Sequence, residues 1–299
     1  MGGEPGPVSA PLDDGYEAVA PAYARLVLQW SRPLAAALVS RASVGGGDHV
    51  LDVGTGTGIV AREAADHVGT EGRVVGIDLS EAMLAEARSA VPERPSVTFV
   101  RMPAEDLDLA DRDFDVALSL FAVTHFADPA AALREMHRVL TPGGRLVLGV
   151  GGRAPLLSVA GVARRVGRVL SLVESGGRSL VAPGFLEGLL REEDAPLREP
   201  PHLGLRALVA MVQTAGFERI LTSWCGHEGE VESAEEFWEL QVTLSTPARA
   251  WRARAAPAAF DAMRERFLRE CARVRGRGGR LLYPQGALVV SARRPLEHA

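Results

Sequence analysis

The sequence contains no lysine, so all 33 of its basic residues are arginines. With 38 acidic residues the formal net charge is −5. The chain therefore lacks the excess of positive charge with which proteins bind the phosphates of nucleic acids, and we expect no nucleic-acid partner. The arginine bias, with abundant alanine, glycine and leucine, indicates GC-rich codon usage and not a mechanism.

Cysteine and long apolar runs are also scarce. Cys225 and Cys271 are too few for a disulfide framework, and they lack metal-ligand spacing. A reducing cytoplasm is the simplest location. No apolar stretch has the roughly 20 residues that span a bilayer. Residues 1–15 are rich in glycine, proline and acid and lack the regions of a signal peptide, so we expect a floppy tail.

Strand-like and helix-like segments alternate between residues 48 and 150. Strands are predicted at 49–53, 73–78, 97–102, 114–120 and 145–150. Helices are predicted at 58–68, 80–91 and 129–140, with Ser80 and Asp128 as N-caps of the last two. TPGG at 141–144 is expected to stop the third helix. This alternation predicts an α/β fold, Rossmann-like, with a mostly parallel sheet and helices on both faces.

The pattern changes after residue 150. A helix is predicted at 154–173, a loop-rich stretch up to about 204, a helix at 205–217 and a strand at 218–224. Two helical patterns follow at 234–275 around a proline-containing break, and a last strand is predicted at 287–292. Residues 151–205 and 228–282 are insertions rich in leucine, valine and alanine, which predict a helical lid.

LDVGTGTG at 51–58 carries glycines at alternate positions. A dinucleotide loop needs G-x-G-x-x-G, but position 59 is isoleucine, and no P-loop Gly-Lys-Ser/Thr follows. Asp52 disfavours a phosphate and suits a ligand with an amine or a sulfonium. Gly54 and Gly56 would allow a ligand to approach the backbone closely, and Gly58 opens the next helix. An incidental turn is the alternative reading.

Two further acidic positions favour a nucleoside. Asp78 ends the second strand, where a carboxylate can accept hydrogen bonds from both ribose hydroxyls, and Leu79 can pack on a purine. Alternatively, Asp78 only favours the dipole of the next helix. In RMPAEDLDL, the backbone N–H of Ala104 and the acid of Glu105 or Asp106 can read an adenine edge. A solvated acidic loop is the alternative there.

In this order, LDVGTGTG, GRVVGIDLSEAML, PAEDL, FDVALSLFAVTHF and LREMHRVLTPGGRLVL resemble the class I S-adenosylmethionine (SAM)-dependent methyltransferases. The match covers residues 48–150, and AGFERI and ALVVSARRP extend it loosely. The small-molecule enzymes similar to the ubiquinone/menaquinone C-methyltransferases are the nearest in character. The resemblance implies a seven-stranded sheet whose last strand is antiparallel, SAM as cofactor and S-adenosylhomocysteine (SAH) as product.

The resemblance also implies an organisation of the chain. Residues 1–47 would form a tail and helices that cover the cofactor, 48–150 the SAM-binding core, and 151–299 the lid and last strands of a single overall domain. The implied cofactor-binding residues are Asp52, Gly54, Thr55, Gly56, Gly58, Asp78, Leu79, Pro103, Ala104, Glu105 and Ser119.

The roles that the resemblance implies are specific. The loop 54–58 would hold the methionine moiety, with Asp52 near its amino group and Ser119 beneath it. Asp78 would take the ribose, and Ala104 and Glu105 would frame the adenine. Many relatives carry Asp or Asn where this chain has Pro103, so the contact to the adenine amine must come from Glu105 or Asp106 or be missing.

Tyr16 and Tyr23, in YEAVAPAY, resemble the segment that folds over SAM, although an ordinary amphipathic helix is the alternative. His125, just after the fourth strand, is the candidate general base; a structural histidine is the alternative, and His202 is a weaker candidate. The chain lacks the Asn/Asp-Pro-Pro-Tyr/Phe and Pro-Cys motifs of base-modifying enzymes. Ser119 stands where metal-dependent catechol methylases place an acid, so no metal is expected.

These features predict O- or C-methylation of a small, lipophilic acceptor, a quinone or a secondary metabolite, by a monomer or homodimer without stable membrane insertion. The helix at 154–173 could instead touch a membrane. RVRGRGGR at 273–280 reads as a flexible loop, with phosphate or RNA binding as the alternative. A SAM-binding protein that does not methylate, either cyclase-like or auxiliary, is the second functional hypothesis, and an NAD-dependent oxidoreductase is the third.

Overall fold

The computed structural model describes residues 16–91, 94–152, 179–182, 184–193 and 203–296. The tail at 1–15, the helix predicted at 154–173 and His202 lie outside these residues. Within the described part of the chain, no helix is long and apolar enough to cross a membrane.

A mixed α/β architecture is built around one sheet with the order β3-β2-β1-β4-β5-β8, and β7 pairs with the outer side of β8. The strands are β1 (His49–Val53), β2 (Arg73–Asp78), β3 (Val97–Arg101), β4 (Phe114–Leu120), β5 (Leu140–Gly151), β6 (Leu180–Val181), β7 (Glu218–Glu230) and β8 (Leu281–Arg293). β1 to β5 are parallel, and β8 runs antiparallel to both β5 and β7. The sheet predicted from the resemblance is confirmed, with the two-residue β6 added beside the start of β8.

Helices cover both faces of this sheet. They are α1 (Tyr16–Trp30), α2 (Arg32–Ala42), α3 (Ile59–Val68), α4 (Glu81–Ser89), α5 (Pro129–Val139), α6 (Gly184–Glu192), α7 (Leu205–Thr214), α8 (Ala234–Leu244), α9 (Thr246–Arg252) and α10 (Pro257–Arg275). Successive strand residues alternate between two cores: Val50 joins the core under α2 and α3, and Leu51 the core under α5 and α7.

Local signals fix where several helices begin. The Ser80 hydroxyl accepts a hydrogen bond from Met83 N, and Asp128 caps α5 by accepting from Ala130 N and Ala131 N, each at 3.0 Å. Both caps are confirmed, because each side chain satisfies backbone donors that the first turn leaves unpaired.

Five predictions of secondary structure were wrong. The fifth strand was expected to begin at Arg145, but β5 begins at Leu140, where it pairs with β4, and its pairing resumes at Arg145 after a register shift. β7 and β8 are longer than predicted because they pair with each other almost from end to end. The stretch expected to be loops contains β6 and α6, and residues 234–275 form three helices instead of two. Arg273 to Arg275 belong to α10, so the run expected as a loop begins inside a helix.

The lid helices α6, α8, α9 and α10 share a third hydrophobic core with α1. Gln241 of α8 accepts a hydrogen bond from Leu186 N of α6 at 2.9 Å, and the Ser245 hydroxyl donates to Glu187 at 2.7 Å. α1 joins this unit to the sheet, because Gln29 donates to Glu236 of α8 and Arg25 pairs with Glu239. The lid and α1 therefore lie beside the carboxyl ends of the strands.

Candidate active site

The loop 54–58 leaves the carboxyl end of β1 and is held by backbone bonds to β2. Thr55 N donates to Ile77 O at 2.8 Å, and Gly56 N donates to the Asp78 carboxylate at 2.8 Å. Gly58 N donates back to Thr55 O at 2.9 Å. The loop is thereby a tight, rigid turn at the edge where open parallel sheets bind ligands.

All three glycines have positive φ, but their surroundings differ. A Cβ on Gly54 would lie 2.2 Å from Ala122 Cβ, and one on Gly58 would lie 2.8 Å from the Phe99 ring. A Cβ on Gly56 would meet no atom of the described residues within 4 Å. Gly54 is thus required by protein packing, which differs from the ligand approach expected of it, whereas Gly56 faces open space.

Asp52 is buried behind this loop, with 1% of its surface exposed. Its Oδ2 accepts hydrogen bonds from the Thr55 hydroxyl at 2.6 Å and from Ala61 N at 3.0 Å. Since Gly58 at the N-cap has no side chain, Asp52 supplies the cap of α3. Its Oδ1 is buried and has no hydrogen-bond partner among the described residues. Burial raises the pKa of Asp52 to about 7, because desolvation disfavours the carboxylate.

Asp78 lies at the adjacent strand end. Its Oδ2 accepts from Gly56 N and its Oδ1 from Ser80 N at 3.0 Å, which fixes the carboxylate. Burial raises the pKa of Asp78, and these bonds oppose the rise. Each oxygen keeps capacity for a further hydrogen bond. Leu79 follows with 48% of its surface exposed, a large apolar side chain beside the site.

A cavity opens over the loop. Its floor is formed by Asp52, residues 54–57 and the first residues of α3. Its other wall is formed by Tyr23 and Val27 of α1 and by Ser31, which follows that helix. The helix α1 therefore lies across the glycine loop.

The end of β4 closes a third side through Leu120 and Phe121. Phe121 has φ of 62°, a conformation that is strained for a bulky residue and is concentrated at functional sites. Ser119, two residues earlier on β4, is fully buried, and within the described part of the chain its hydroxyl has no hydrogen-bond partner. The same is true of the Thr57 hydroxyl, so Asp52, Thr57 and Ser119 each present an unsatisfied buried polar atom at this edge.

The segment after β3 is anchored to α5. Ala104 is buried, while Pro103 and Asp106 are exposed. Glu105 Oε1 accepts from Ala127 N at 2.8 Å and from Asp128 N at 3.3 Å. Glu105 thus supports the start of α5, a structural task that sequence reasoning did not anticipate.

His125 ends a short 3₁₀ helix at Val123–His125, just beyond β4. Its ring meets the Tyr16 ring edge-on, with centroids 5.8 Å apart, and Tyr16 meets Tyr23 in the same way at 5.6 Å. His125 does not line the cavity over the glycine loop, but it is connected to it through these two tyrosines. Among the described residues, no cluster of His, Cys, Asp and Glu could hold a metal ion.

Sequence reasoning missed three residues at this edge. Phe121 lies on the wall of the cavity, and its position directly after the fourth strand was an available signal. Arg249, whose guanidinium lies over the Tyr16 ring, and Tyr283 at the start of β8 come from distant segments. No local motif marks either of them.

Comparison with known proteins finds relatives of the central part of the chain. A methyltransferase domain model matches residues 51–148. The ubiquinone/menaquinone biosynthesis C-methyltransferase of Bdellovibrio bacteriovorus is 40% identical over 112 residues, 37% of this chain and 47% of that protein. An uncharacterized 37.1 kDa protein in a transposon of Streptomyces fradiae is 42% identical over 103 residues, 34% of this chain and 30% of that protein. The match thus spans less than half the length of these curated relatives.

Solved structures extend the likeness of fold beyond that core. YcgJ of Bacillus subtilis superposes with a TM-score of 0.53 at 18% identity, covering 88% of this chain and 98% of that one. The cyclase SpnF superposes with a TM-score of 0.54 at 20% identity, covering 95% and 94%. Residues 51–148 thus carry a methyltransferase domain, and the solved structures show that the fold is shared over most of the chain.

Proposed function

We propose that this protein is a SAM-dependent methyltransferase that acts on a small, lipophilic acceptor, a quinone or a secondary metabolite, by O- or C-methylation. The observation that carries the proposal is the paired arrangement of Asp52 and Asp78 around the glycine loop. The two carboxylates are fixed by backbone donors at neighbouring strand ends, and the cavity lies over the loop between them.

Each part of the site fits one part of the cofactor. Asp52 Oδ1, which lacks a partner among the described residues, would receive the amino group of the methionine moiety, with the open face of Gly56 beneath it. Asp78 would accept hydrogen bonds from the ribose hydroxyls, and the exposed Leu79 would pack on the adenine. Ala104 would frame the adenine, with Pro103 and Glu105 beside it and Ser119 under the methionine portion.

SAM, when bound, supplies a methyl group activated by a positive sulfonium. The protein must therefore align the acceptor with that methyl and exclude water. Tyr23 and Val27 of α1 cover the loop, while Phe121 bounds it from β4. His125 is proposed to take the proton of an acceptor hydroxyl, since its ring lies against Tyr16 at the same edge of the sheet.

The cyclase-like alternative shares the pocket, and the fold of SpnF is compatible with it. An auxiliary SAM-binding protein is the other form of this alternative. We include in the proposal a monomer or homodimer that works in the cytoplasm, in keeping with free Cys225 and Cys271.

Turnover separates these alternatives. The purified full chain is incubated with SAM and a panel of phenols, quinols and enols, and SAH and methylated product are measured by mass spectrometry. The proposal predicts that both products appear in equal amounts with at least one member. SAM that binds but is never converted to SAH, while an acceptor is isomerised, would establish the cyclase-like alternative instead.

A further inference from the structure

Ser31 connects α1 to α2 and lines the cavity over the glycine loop. Only 3% of its surface is exposed. Its backbone is fixed on both sides, because Ser31 N donates to Val27 O at 2.8 Å and Ser31 O accepts from Leu34 N at 3.0 Å. The serine therefore holds one position on the wall of the cavity.

The hydroxyl of Ser31 does not cap the helix that it precedes. A serine at an N-cap ordinarily accepts a hydrogen bond from a backbone N–H of the first turn, as Ser80 does from Met83 N. Ser31 is the N-cap residue of α2, but its backbone is helical at φ of −100° and ψ of −10°, and its side chain makes no such bond. The hydroxyl is therefore left for another partner.

That partner is Gln285 of β8, which is 254 residues away in the sequence. The amide nitrogen of Gln285 donates to the Ser31 hydroxyl oxygen at 2.6 Å. A hydroxyl that accepts a hydrogen bond from an amide keeps its own proton for donation. Among the described residues, no atom accepts that proton. The contact with Gln285 thus leaves a hydrogen-bond donor on the wall of the cavity.

The Thr57 hydroxyl is a second donor of this kind. Thr57 lines the same cavity from the glycine loop and is 3% exposed, and its hydroxyl has no hydrogen-bond partner within the described part of the chain. The first residues of α3, Ile59 and Val60, line the cavity as well and bring the positive end of that helix to it. Buried polar groups without partners are rare, so these hydroxyls indicate that a ligand supplies the acceptor.

The charge of the lining restricts what that ligand group can be. Among the described residues that line this cavity, none is an arginine or a histidine, and Asp52 is acidic. An anionic group of a ligand must therefore be held there by neutral donors. Hydroxyls and backbone N–H groups bind carboxylate oxygens through charge-assisted hydrogen bonds. Ser31 and Thr57 thus complement a carboxylate, and Asp52 complements a positive group.

We propose that Ser31 binds the carboxylate of the methionine moiety of SAM through its hydroxyl proton, and that Gln285 is a positioning residue that directs this proton into the cavity. This inference rests on the proposed methyltransferase function. Asp52 Oδ1 is an acceptor and fits the amino group, whereas Ser31 and Thr57 are donors and fit the carboxylate on the same carbon. The two charged groups of one amino acid therefore meet complementary atoms on different walls of the cavity.

The experiment is a thermodynamic cycle that uses the full chain and calorimetry. The two ligands are SAH and decarboxylated SAH, which keeps the amino group and the nucleoside but has no carboxylate. We expect Ser31→Ala to weaken SAH binding about tenfold, the loss expected for one hydrogen bond to a charged group. Decarboxylated SAH should bind to Ser31→Ala as tightly as to wild type. Ser40→Ala, at an exposed serine on α2, is the matched control and should bind both ligands as wild type does.

Gln285→Met tests the positioning role and keeps the inference falsifiable if Ser31→Ala does not fold. It preserves the length of the side chain and removes the amide that holds the Ser31 hydroxyl. We expect several-fold weaker binding of SAH and unchanged binding of decarboxylated SAH, whereas a merely structural role would weaken the two ligands alike. Combined with Ser31→Ala, the substitution should cause no further loss of SAH affinity, because Gln285 acts through the serine.

Equal losses of affinity for the two ligands in Ser31→Ala would overturn the inference. So would wild type that binds decarboxylated SAH as tightly as SAH, because the carboxylate would then contribute nothing. Additive losses in the double variant would overturn the positioning role of Gln285. A failure of the proposed function looks different: wild type would bind neither ligand.

Discussion

The guanidinium carbon of Arg249 lies 4.0 Å over the ring of Tyr16, and the ring of His125 meets the same tyrosine edge-on. Tyr16 begins α1, Arg249 belongs to the lid, and His125 follows β4. A single aromatic ring therefore joins the three parts of the chain that surround the carboxyl edge of the sheet. This contact places the candidate general base and a buried positive charge on two sides of one residue.

Substitution of Gly56 tests the glycine loop. A Cβ at Gly56 points into open space, so Gly56→Leu should fill the cofactor site and weaken SAH binding about a hundredfold or more, the cost of a steric clash of several kcal/mol. Gly47→Leu is the matched control, because Gly47 also has positive φ and open surroundings but lies before β1. Both variants should lose similar thermal stability, about 1–2 kcal/mol. Equal SAH affinity in the two variants would contradict this account of the loop.

The contact between Asp78 and the ribose is tested with a thermodynamic cycle that combines a substitution in the protein with a change in the ligand. Asp78→Asn should weaken SAH binding about tenfold to a hundredfold, because hydrogen bonds to a charged acceptor are lost. An SAH analogue that lacks one ribose hydroxyl should bind wild type more weakly, but should lose little further affinity in Asp78→Asn. Isothermal titration calorimetry measures all four combinations. Asp66→Asn, at an exposed carboxylate on α3, should bind as wild type does. Additive losses would show that Asp78 does not contact the ribose.

The raised pKa of Asp52 predicts a pH dependence of cofactor affinity. The free protein carries a proton on Asp52 below a pH of about 7, because burial disfavours the carboxylate. The positive amino group of the cofactor favours the ionised form, so binding below that pH must release the proton. Affinity should therefore rise as the pH increases toward about 7, by at most about tenfold per pH unit.

Asp52→Asn provides the comparison for that measurement, because its amide does not titrate. Calorimetry with SAH between pH values of about 5.5 and 7.5 stays below the range in which an α-amino group loses its proton. The increase of SAH affinity with pH should be smaller in Asp52→Asn than in wild type. An identical slope in the two proteins would assign the pH dependence to another group.

His125 is tested by separating rate from binding. His125→Ala should lower the rate of methyl transfer about a hundredfold to ten-thousandfold, as expected for loss of a general base, and leave the affinity for SAH unchanged. His67→Ala, at an exposed histidine on α3, serves as control. The rate at saturating SAM should fall only in His125→Ala. A His125→Ala variant that keeps the wild-type rate would indicate that His125 has only a structural role.

The core of the fold was predictable because its signals are local. The strands at 49–53, 73–78 and 114–120 were located to the residue, since each is a short apolar run bounded by turns and capped helices. The errors lie where an element depends on pairing with a strand that is distant in the sequence. β7 and β8 pair with each other beyond their apolar segments, so both strands are longer than those segments. The two residues of β6 form a strand because they pair with Leu281 and Leu282 of β8.

The residues around the site also fall into two groups, those that a local motif marks and those that no motif marks. Asp52, Gly56 and Asp78 lie near one another in the sequence pattern of β1 and β2, and spacing alone marked them. Arg249 and Tyr283 come from the lid and the last strand, and no local motif marks either of them. Phe121 is distinguished by its backbone φ, which the sequence does not reveal.

Calorimetric titration of the wild-type full chain with SAH, with NAD as the competing ligand, distinguishes a SAM site from a dinucleotide site. We expect one SAH site per chain with a dissociation constant of roughly micromolar order, and no detectable binding of NAD. Tight binding of NAD without binding of SAH would overturn the assignment of the glycine loop to SAM.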